Sequence, residues 1–496
     1  MDAEVLVAGA GPSGLVLGCA LAAQGVKVRV VDRGEGPART SRTNILHARG
    51  VEVLTRIGAL GDLPERALSP VGMTMYARSR ELATMRFAPD PRESVQALFV
   101  SQDEIETRLR QRLETLDCKV EYGREVIGAA QDPRGVTVEF ADGDALRIGW
   151  LIGCDGSRSA VRELADIAFP GVPVVERFLL ADVFADWNRS REGSAGWFHA
   201  DGMVLAIPMR GSGEGNLWRV MADVPDTGEH LSPDQIIDQI RAVLLDRAGV
   251  DDIAILKAVW TSVFRIQRRL AEFYRRERIL LAGDAAHVHS PIGGQGMNTG
   301  IGDAENLAWK LTLVIQGRAK ASLLDTYTAE RRPLAEEVLR NTTANTRILA
   351  GGTPLTRLVR DRLMLPLLNL PAVQRQATRT ASQLWVTYRK GPLGGRGPAP
   401  RPGDRVPDLA CSDPEGTQTS LYDALRSGWA LVADREHPEL AELARRHLGT
   451  VAMLHNPKAA DPPILVRPDG HLAWRGREPD ELRDWLTGKL GTMETA

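Results

Sequence analysis

Apolar runs and polar turns alternate along most of this chain, and the pattern changes character from one region to the next. Glu4-Val5-Leu6-Val7-Ala8 is a short continuous apolar run of the kind that forms a buried parallel strand. Pro12 to Gln24, rich in small and apolar residues, predicts a helix; Lys27 to Val31 predicts a second strand, closed by Asp32. Strand, helix and strand in that order make a βαβ unit that opens a parallel sheet. Thr43 to Ile57 and Asp103 to Leu116 predict helices, whereas Met73 to Ala77 and Leu82 to Phe87 predict short strands outside the main sheet. Val136 to Phe140 and Ala145 to Ile152 predict a hairpin around the turn Asp142-Gly143, which hands the chain on to Cys154-Asp155-Gly156.

From Phe178 to Arg268 apolar segments of strand length recur: Leu179 to Phe184, Met203 to Pro208, Leu217 to Val224 and Ile253 to Phe264. One amphipathic helix, Pro233 to Leu245, interrupts them, so this stretch is expected to be an inserted α+β substrate domain. Arg278 to Ala282 predicts a buried strand returning to the first domain, and Gly302 to Ile315 and Thr326 to Leu349 predict long helices. Gly391 to Pro407 is dense in Gly, Pro and Arg, a linker composition. Beyond it strands are expected at Trp429–Ala433, Thr450–Leu454, Pro463–Val466 and His471–Trp474, and helices at Pro438–Leu448 and Pro479–Leu490, a compact separate α/β unit. The expected division is a nucleotide-binding domain over 1–177, with 73–96 contributing to the substrate domain, then 178–270, the nucleotide domain again over 271–392, a linker over 393–406 and the last unit over 407–496.

With 496 residues and 43% hydrophobic content the chain can bury a large core. A net charge of -2, without a polybasic block, gives no reason to expect a nucleic-acid partner. Asp2 and Glu4 stand where a secretory leader would be basic, and no run approaches the roughly 20 apolar residues of a membrane span. Cys19, Cys118, Cys154 and Cys411 form no CxxC pair and have no zinc-ligand spacing, so a cytoplasmic location is expected. A monomer or homodimer is expected, with a small molecule as ligand.

Two glycine-acid motifs carry the chemistry. Gly9-Ala10-Gly11-Pro12-Ser13-Gly14 joins the first strand to the first helix. Its glycines permit a tight turn, close approach of backbone to a pyrophosphate, and close packing of helix on strand. The helix N-terminus offers N–H groups and partial positive charge, and Asp32 stands where a carboxylate can bond adenosine ribose hydroxyls. This motif alone leaves FAD and NAD(P) both open. The second, Gly283-Asp284-Ala285-Ala286-His287 running into Pro291-Ile292-Gly293-Gly294-Gln295-Gly296-Met297-Asn298, separates them. Asp284 can accept from a ribityl hydroxyl; Gly293, Gly294 and Gly296 let backbone N–H groups approach a flavin edge; and the helix starting near Met297-Asn298 points its positive end at flavin N1/O2.

Gly9 to Gly14, Gly153-Cys154-Asp155-Gly156-Ser157-Arg158-Ser159-Ala160-Val161-Arg162 and Gly283 to Asn298 together resemble the group A flavoprotein monooxygenases, the para-hydroxybenzoate hydroxylase-like aromatic hydroxylases, in particular the branch acting on aromatic polyketides and antibiotics. The resemblance spans about residues 1 to 390 and implies a Rossmann-like FAD-binding domain, an inserted α+β substrate domain and a C-terminal thioredoxin-like domain. Asp32 replaces the family's more usual glutamate, and the last unit, lacking CxxC, is expected to serve packing or oligomerisation. The segment around Asp155 matches the family's DG motif for FAD and NAD(P)H; a β-turn in which Asp155 caps a helix through Ser159 and Arg162 is compatible with that role.

The cofactor contacts so implied are Gly9, Gly11, Pro12, Ser13, Gly14, Asp32, Arg33, Arg42, Gln102, Asp155, Asp284, Pro291, Gly294, Gly296, Met297 and Asn298. Arg42 is the cofactor candidate because Ser41-Arg42-Thr43, followed by His47-Ala48-Arg49 and Glu52, resembles the family segment whose arginine reaches the cofactor; a solvated surface arginine is the alternative. Pro291, expected against the flavin, and Arg42 are the residues assigned to catalysis; His287 is expected to brace its loop and His289 to approach the pocket. Glu330-Arg331-Arg332-Pro333 is read as helix packing with internal ion pairing. Substrate contacts are expected among Tyr76, Trp197, His199, Trp218 and Arg219. The implied reaction uses FAD, NADPH or NADH, and O2, and hydroxylates a polycyclic aromatic through a flavin C4a-hydroperoxide. Baeyer–Villiger oxygenation or antibiotic inactivation is the alternative within that chemistry, and a flavin- or drug-binding protein without turnover the alternative outside it. No WxWxIP segment of the flavin halogenases is present.

Overall fold

The computed structural model describes residues 3–38, 44–68, 72–86, 95–211, 215–225, 228, 230–289, 293–350, 353–457 and 462–492, with side chains left aside at 173–176, 266 and 341–350. Three sheets organise the chain. In the first, Ala3–Ala8 lies between Val28–Val31 and Ala145–Gly153, parallel to both, and Ile279–Leu281 extends the parallel set. These strands are near-continuous Val, Ile and Leu, as a sheet covered on both faces requires. Helix Pro12–Ala23 covers one face and packs on Gln295–Ile315 and Gln102–Glu114. Gly135–Phe140 and Ala145–Gly153 form the expected hairpin, and Val126–Asp132 adds an antiparallel strand that the sequence reading lacked.

The second sheet has eight strands, including Gly72–Ala77 and Arg80–Arg86 at one edge. Its two longest, Gly171–Asp186 and Ala254–Leu270, are antiparallel, and Ala254–Leu270 ends paired with His287–Val288 of the second motif. Ser194–His199, absent from the sequence reading, joins Gly72–Ala77 in parallel register to the rest of the sheet. Helix Pro233–Val243, fixed by a capping box between Ser232 and Gln235, seals one face with Ile236, Ile237 and Ile240.

The third sheet is C-terminal, ordered Gln418–Ser420, Ala410–Ser412, Val451–His455, Trp429–Ala433, Ile464–Val466, Leu472–Arg475. It does not stand apart. Trp309 and Leu313 of helix Gln295–Ile315 share an apolar cluster with Trp429, Leu431 and Leu465, and the Trp309 and Trp429 rings meet edge-on with centroids 5.2 Å apart. The Gly-, Pro- and Arg-rich stretch is knitted to it as well: Tyr388 donates to the Gly403 carbonyl at 2.8 Å, and Gly403 to that of Leu472 at 2.7 Å.

Two helix boundaries differ from expectation. The helix expected from Thr43 begins at Ala48, because Leu46 is drawn into a two-bond bridge with Leu98 and His47 caps in an extended conformation. The helix expected from Gly302 begins at Gln295, where Gly294 adopts φ +63.

Candidate active site

Gly9 turns the chain out of the first strand at φ +106, and a side chain there would lie 2.3 Å from the Cys154 carbonyl. A Cβ on Gly14 would fall 1.9 Å from the Gly9 carbonyl. Gly14 is thus the helix-on-strand contact and lies behind the cleft, whereas Gly9, Gly11, Pro12 and Ser13 line it. A Cβ on Gly11 would meet nothing within 4 Å. Asp32 fixes the loop directly: its carboxylate accepts the Ala10 N–H at 2.7 Å and the Gly34 N–H at 2.8 Å.

The two glycine motifs, far apart in sequence, touch. A Cβ on Gly283 would lie 2.4 Å, and one on Gly300 2.3 Å, from Ser13 Oγ. Their meeting point is held by buried Asp303, whose carboxylate accepts from the Gly283 N–H at 3.1 Å and Arg331 Nε at 2.7 Å and pairs with His287 Nε2 at 2.6 Å. Burial acts to raise the Asp303 pKa, but His287 and Arg331 outweigh it and hold the carboxyl below its usual range. His287 therefore braces this junction, while His289 lines the cleft. The loop's other half is fixed from His47, whose ring lies 2.8 Å from the Gly293 carbonyl and whose backbone N–H donates to Asn298 Oδ1 at 2.9 Å. Asn298 returns amide bonds to the carbonyls of Ile45 and Gly294, so it braces the loop from behind, while Gly294, Gly296 and Met297 line the cleft.

Asp155 follows strand Ala145–Gly153. Its Oδ2 accepts the Val161 N–H at 3.1 Å, and Ser159 caps the same short helix by accepting from the Arg162 N–H at 2.9 Å. Asp155 Oδ1 is buried without a hydrogen-bond partner in the structure, and burial raises the carboxyl's pKa. Gln102 opens helix Gln102–Glu114 and donates to Glu106 at 2.8 Å; both line the cleft, as do Arg33 and the exposed Asp284. Arg42 and Pro291 lie outside the described residues.

These residues fit FAD on three structural grounds. Helices Pro12–Ala23 and Gln295–Ile315 both begin at a glycine with no side-chain cap, which leaves their first N–H groups to an anion or to flavin oxygen. The Gly11 position is open toward the cleft. The buried Asp155 Oδ1 faces a cost of about 1–3 kcal/mol unless a donor reaches it. A cleft of about 1960 Å³ links this half to the second sheet, which has room for a second large ligand beside a dinucleotide.

Strands Gly72–Ala77, Gly202–Pro208 and Asn216–Val224 present alternate side chains to that cleft. Met73, Met75, Met203, Leu205, Met221 and Phe264 face it, and Leu365 and Leu368, from a helical stretch the sequence reading missed, close its apolar end. The expected substrate contacts Tyr76, Trp197 and Trp218 are corrected here. They lie on the opposite face, where Trp197 and Trp218 fill the core under helix Pro233–Val243 with Trp187, and Tyr76 stacks on Trp197. His199 also stands away from the cleft, 3.2 Å from Asp201. Arg219 does line it, and Asp182 holds its guanidinium through two bonds of 2.7 Å, with Asn44 at 3.2 Å. Desolvation raises the Asp182 pKa against the pull of Arg219. His47 belonged to a segment singled out for its arginine, whereas Asp303 and Asn44 were not singled out in sequence; Asp303 stands eight residues after Gln295, on the helix the second motif opens, and that spacing was the available signal. The Glu330-Arg331 pair makes its ion pairs outward, to Lys310, Arg467 and Asp303, instead of within its helix.

The family model described as FAD binding domain matches residues 2–342, and that described as Aromatic-ring hydroxylase, C-terminal matches 399–492. The chain is 34% identical over 488 residues to a rifampicin monooxygenase of Streptomyces venezuelae, covering 97% of each. It is also 34% identical to a 6-methylpretetramide 4-monooxygenase of Streptomyces rimosus, over 99% of this chain and 93% of the relative. Among solved structures, an anhydrotetracycline hydroxylase from Streptomyces rimosus superposes with a TM-score of 0.81 at 31% identity, covering 100% of both chains. Among the described residues no helix is long and apolar enough to cross a membrane.

Proposed function

This chain belongs to the FAD-dependent aromatic-ring hydroxylase family of monooxygenases, and we propose that its substrate is a polycyclic, polyketide-type aromatic phenol. The observation that carries this reading is the wall of Met73, Met75, Met203 and Met221 facing the cofactor half of one continuous cleft. Thioether side chains are polarizable and adapt to flat rings, with sulfur–aromatic contacts of about 0.3–1.5 kcal/mol each. FAD held by the two glycine motifs would supply two-electron transfer from NAD(P)H and activation of O2, with one oxygen atom going to the ring and the other to water.

The chain's own residues then divide the work. N–H groups of Gly11 and Ser13 at the start of the first helix hold the diphosphate; Asp32 and Arg33 face the adenosine end, and Asp155, Gln102 and Asp284 meet cofactor hydroxyls. Gly294, Gly296 and Met297 shape the flavin edge, with Asn298 and Gly14 bracing from behind. The apolar wall excludes water and orients the ring. Arg219, its guanidinium fixed and its charge balanced by Asp182, lines the cleft as a polar anchor among the apolar side chains. Free cysteines at Cys19, Cys118, Cys154 and Cys411 suit a reducing cytoplasm.

A second reading, oxidative inactivation of an antibiotic, is favoured by the rifampicin monooxygenase likeness. One experiment tests both. Purified protein reconstituted with FAD is given NADPH or NADH with a panel of polycyclic phenols and an ansamycin. Substrate-stimulated NAD(P)H oxidation with product one oxygen atom heavier is expected for a polycyclic phenol. Turnover confined to the ansamycin moves the assignment to the second reading, and a colourless protein that takes up no FAD overturns both.

A further inference from the structure

Among the contacts between the C-terminal unit and the cofactor-binding half is one buried turn. Pro468-Asp469-Gly470 lies between strands Ile464–Val466 and Leu472–Arg475. The Asp469 carboxylate accepts the indole N–H of Trp309 at 3.1 Å and the amide of Asn306 at 3.3 Å, both on helix Gln295–Ile315. Its backbone carbonyl accepts Arg49 Nη2 at 2.7 Å, from helix Ala48–Arg56. Arg49 and Arg56 converge on Glu305 at 3.0 and 2.6 Å, which ties the two helices to each other. From the C-terminal side, Arg467 pairs with Asp469 and reaches Glu330 at 3.0 Å, while Arg405 and Tyr422 grip Glu52.

Both helices held in this way deliver their N-termini to the same loop. Helix Ala48–Arg56 starts at His47, bonded to Gly293 and Asn298, and helix Gln295–Ile315 starts at Gly294. Asn306 stands twelve residues beyond Gly294, about 18 Å along the axis, so Asp469 acts through the helices and does not reach the cleft. Replacing a buried ion network by apolar residues is often neutral or stabilising. A network this extended is therefore poorly explained by stability, and it does set the relative register of two rods. We propose that Asp469 is a positioning residue for the flavin-edge loop Gly293–Gly296, and that the C-terminal unit sets the geometry of the cofactor site through it. The inference rests on the proposed cofactor reading for its consequence, but the coupling itself can be measured without cofactor.

Hydrogen–deuterium exchange of peptides covering 293–303 is followed in the full chain without FAD. The proteins compared are wild type, Asp469→Asn, the milder Trp309→Phe, which removes one N–H and keeps a ring, and Leu454→Ala. The last takes apolar volume from the same unit and leaves every ion pair in place. Exchange in the loop should rise roughly tenfold in Asp469→Asn, by a smaller factor in Trp309→Phe, and not at all in Leu454→Ala. In the reconstituted enzymes the Trp309→Phe flavin spectrum should shift, and a larger share of NAD(P)H oxidation should reduce O2 to hydrogen peroxide at unchanged substrate KM. Unchanged loop exchange in the network variants, or an equal rise in Leu454→Ala at matched Tm, overturns the proposal. If Asp469→Asn does not fold, Trp309→Phe decides alone. Failure of every protein to bind FAD would strike the proposed function and leave the exchange comparison standing.

Discussion

His47 offers a pH dependence with a definite sign. Its side chain is 2% exposed and lies between two braces of the Gly293–Gly296 loop, with Nε2 at 2.8 Å from the Gly293 carbonyl. Burial pushes its pKa down from 6.5 to about 4, although the bond to Gly293 pulls the other way, so the folded protein holds the ring neutral, donating to that carbonyl, near neutral pH. The folded pKa lies below the unfolded one, and between the two values the unfolded chain binds more protons. The stabilisation is therefore complete above pH 6.5 and is lost as the pH falls toward 4. A gap from 6.5 to about 4 corresponds to about 3.4 kcal/mol in full, of which about 2 kcal/mol is lost by pH 5.

Urea unfolding of wild type and His47→Gln across pH 5 to 7.5 isolates this one group. Glutamine can still donate to the Gly293 carbonyl but does not titrate. His471, pushed down to about 4 by burial in the same way, and the buried carboxylates are present in both proteins and cancel in the difference. The stability gap between the two proteins should close by about 2 kcal/mol, in favour of the variant, between pH 7.5 and 5. Parallel pH profiles would show that His47 is not held neutral by its surroundings, and would refute the burial argument for the loop it braces.

Two further substitutions test the junction of the motifs. Gly14→Ala puts a methyl 1.9 Å from the Gly9 carbonyl; it should cost about 1–3 kcal/mol of stability and yield protein that does not retain flavin through gel filtration, whereas a variant as yellow as wild type would disprove the close-packing role. Asp303→Asn strips the charge that faces His287 and Arg331; the loss of about 3–5 kcal/mol expected for breaking a buried pair would appear as a large fall in Tm, and an unchanged Tm would remove Asp303 from the junction.

What could be read in the sequence and what could not separate along a physical line. The glycine motifs were legible because their requirement is local: Gly9 needs positive φ, and Gly14 needs an absent side chain, whatever lies elsewhere in the chain. The charged helix Ala48–Arg56 carries the opposite kind of information. Arg49, Glu52 and Arg56 are all buried, and their partners Glu305, Arg405 and Asp469 arrive from hundreds of residues away. Pairing of that range is a property of the tertiary packing, and no spacing rule encodes it. The cleft-facing side of the second sheet falls between these cases. Alternation along Gly72–Ala77 makes Met75 and Tyr76 face opposite ways, so the sequence fixes that one of them meets the cleft. The face turned to the core is the one that meets the amphipathic helix Pro233–Val243, whose Ile236, Ile237 and Ile240 share an apolar cluster with Trp197 and Trp218. Reading aromatic residues as ligand contacts put them on the wrong side, because large rings are first of all core volume, and the flexible methionines left over are the surface that can fit a flat ligand.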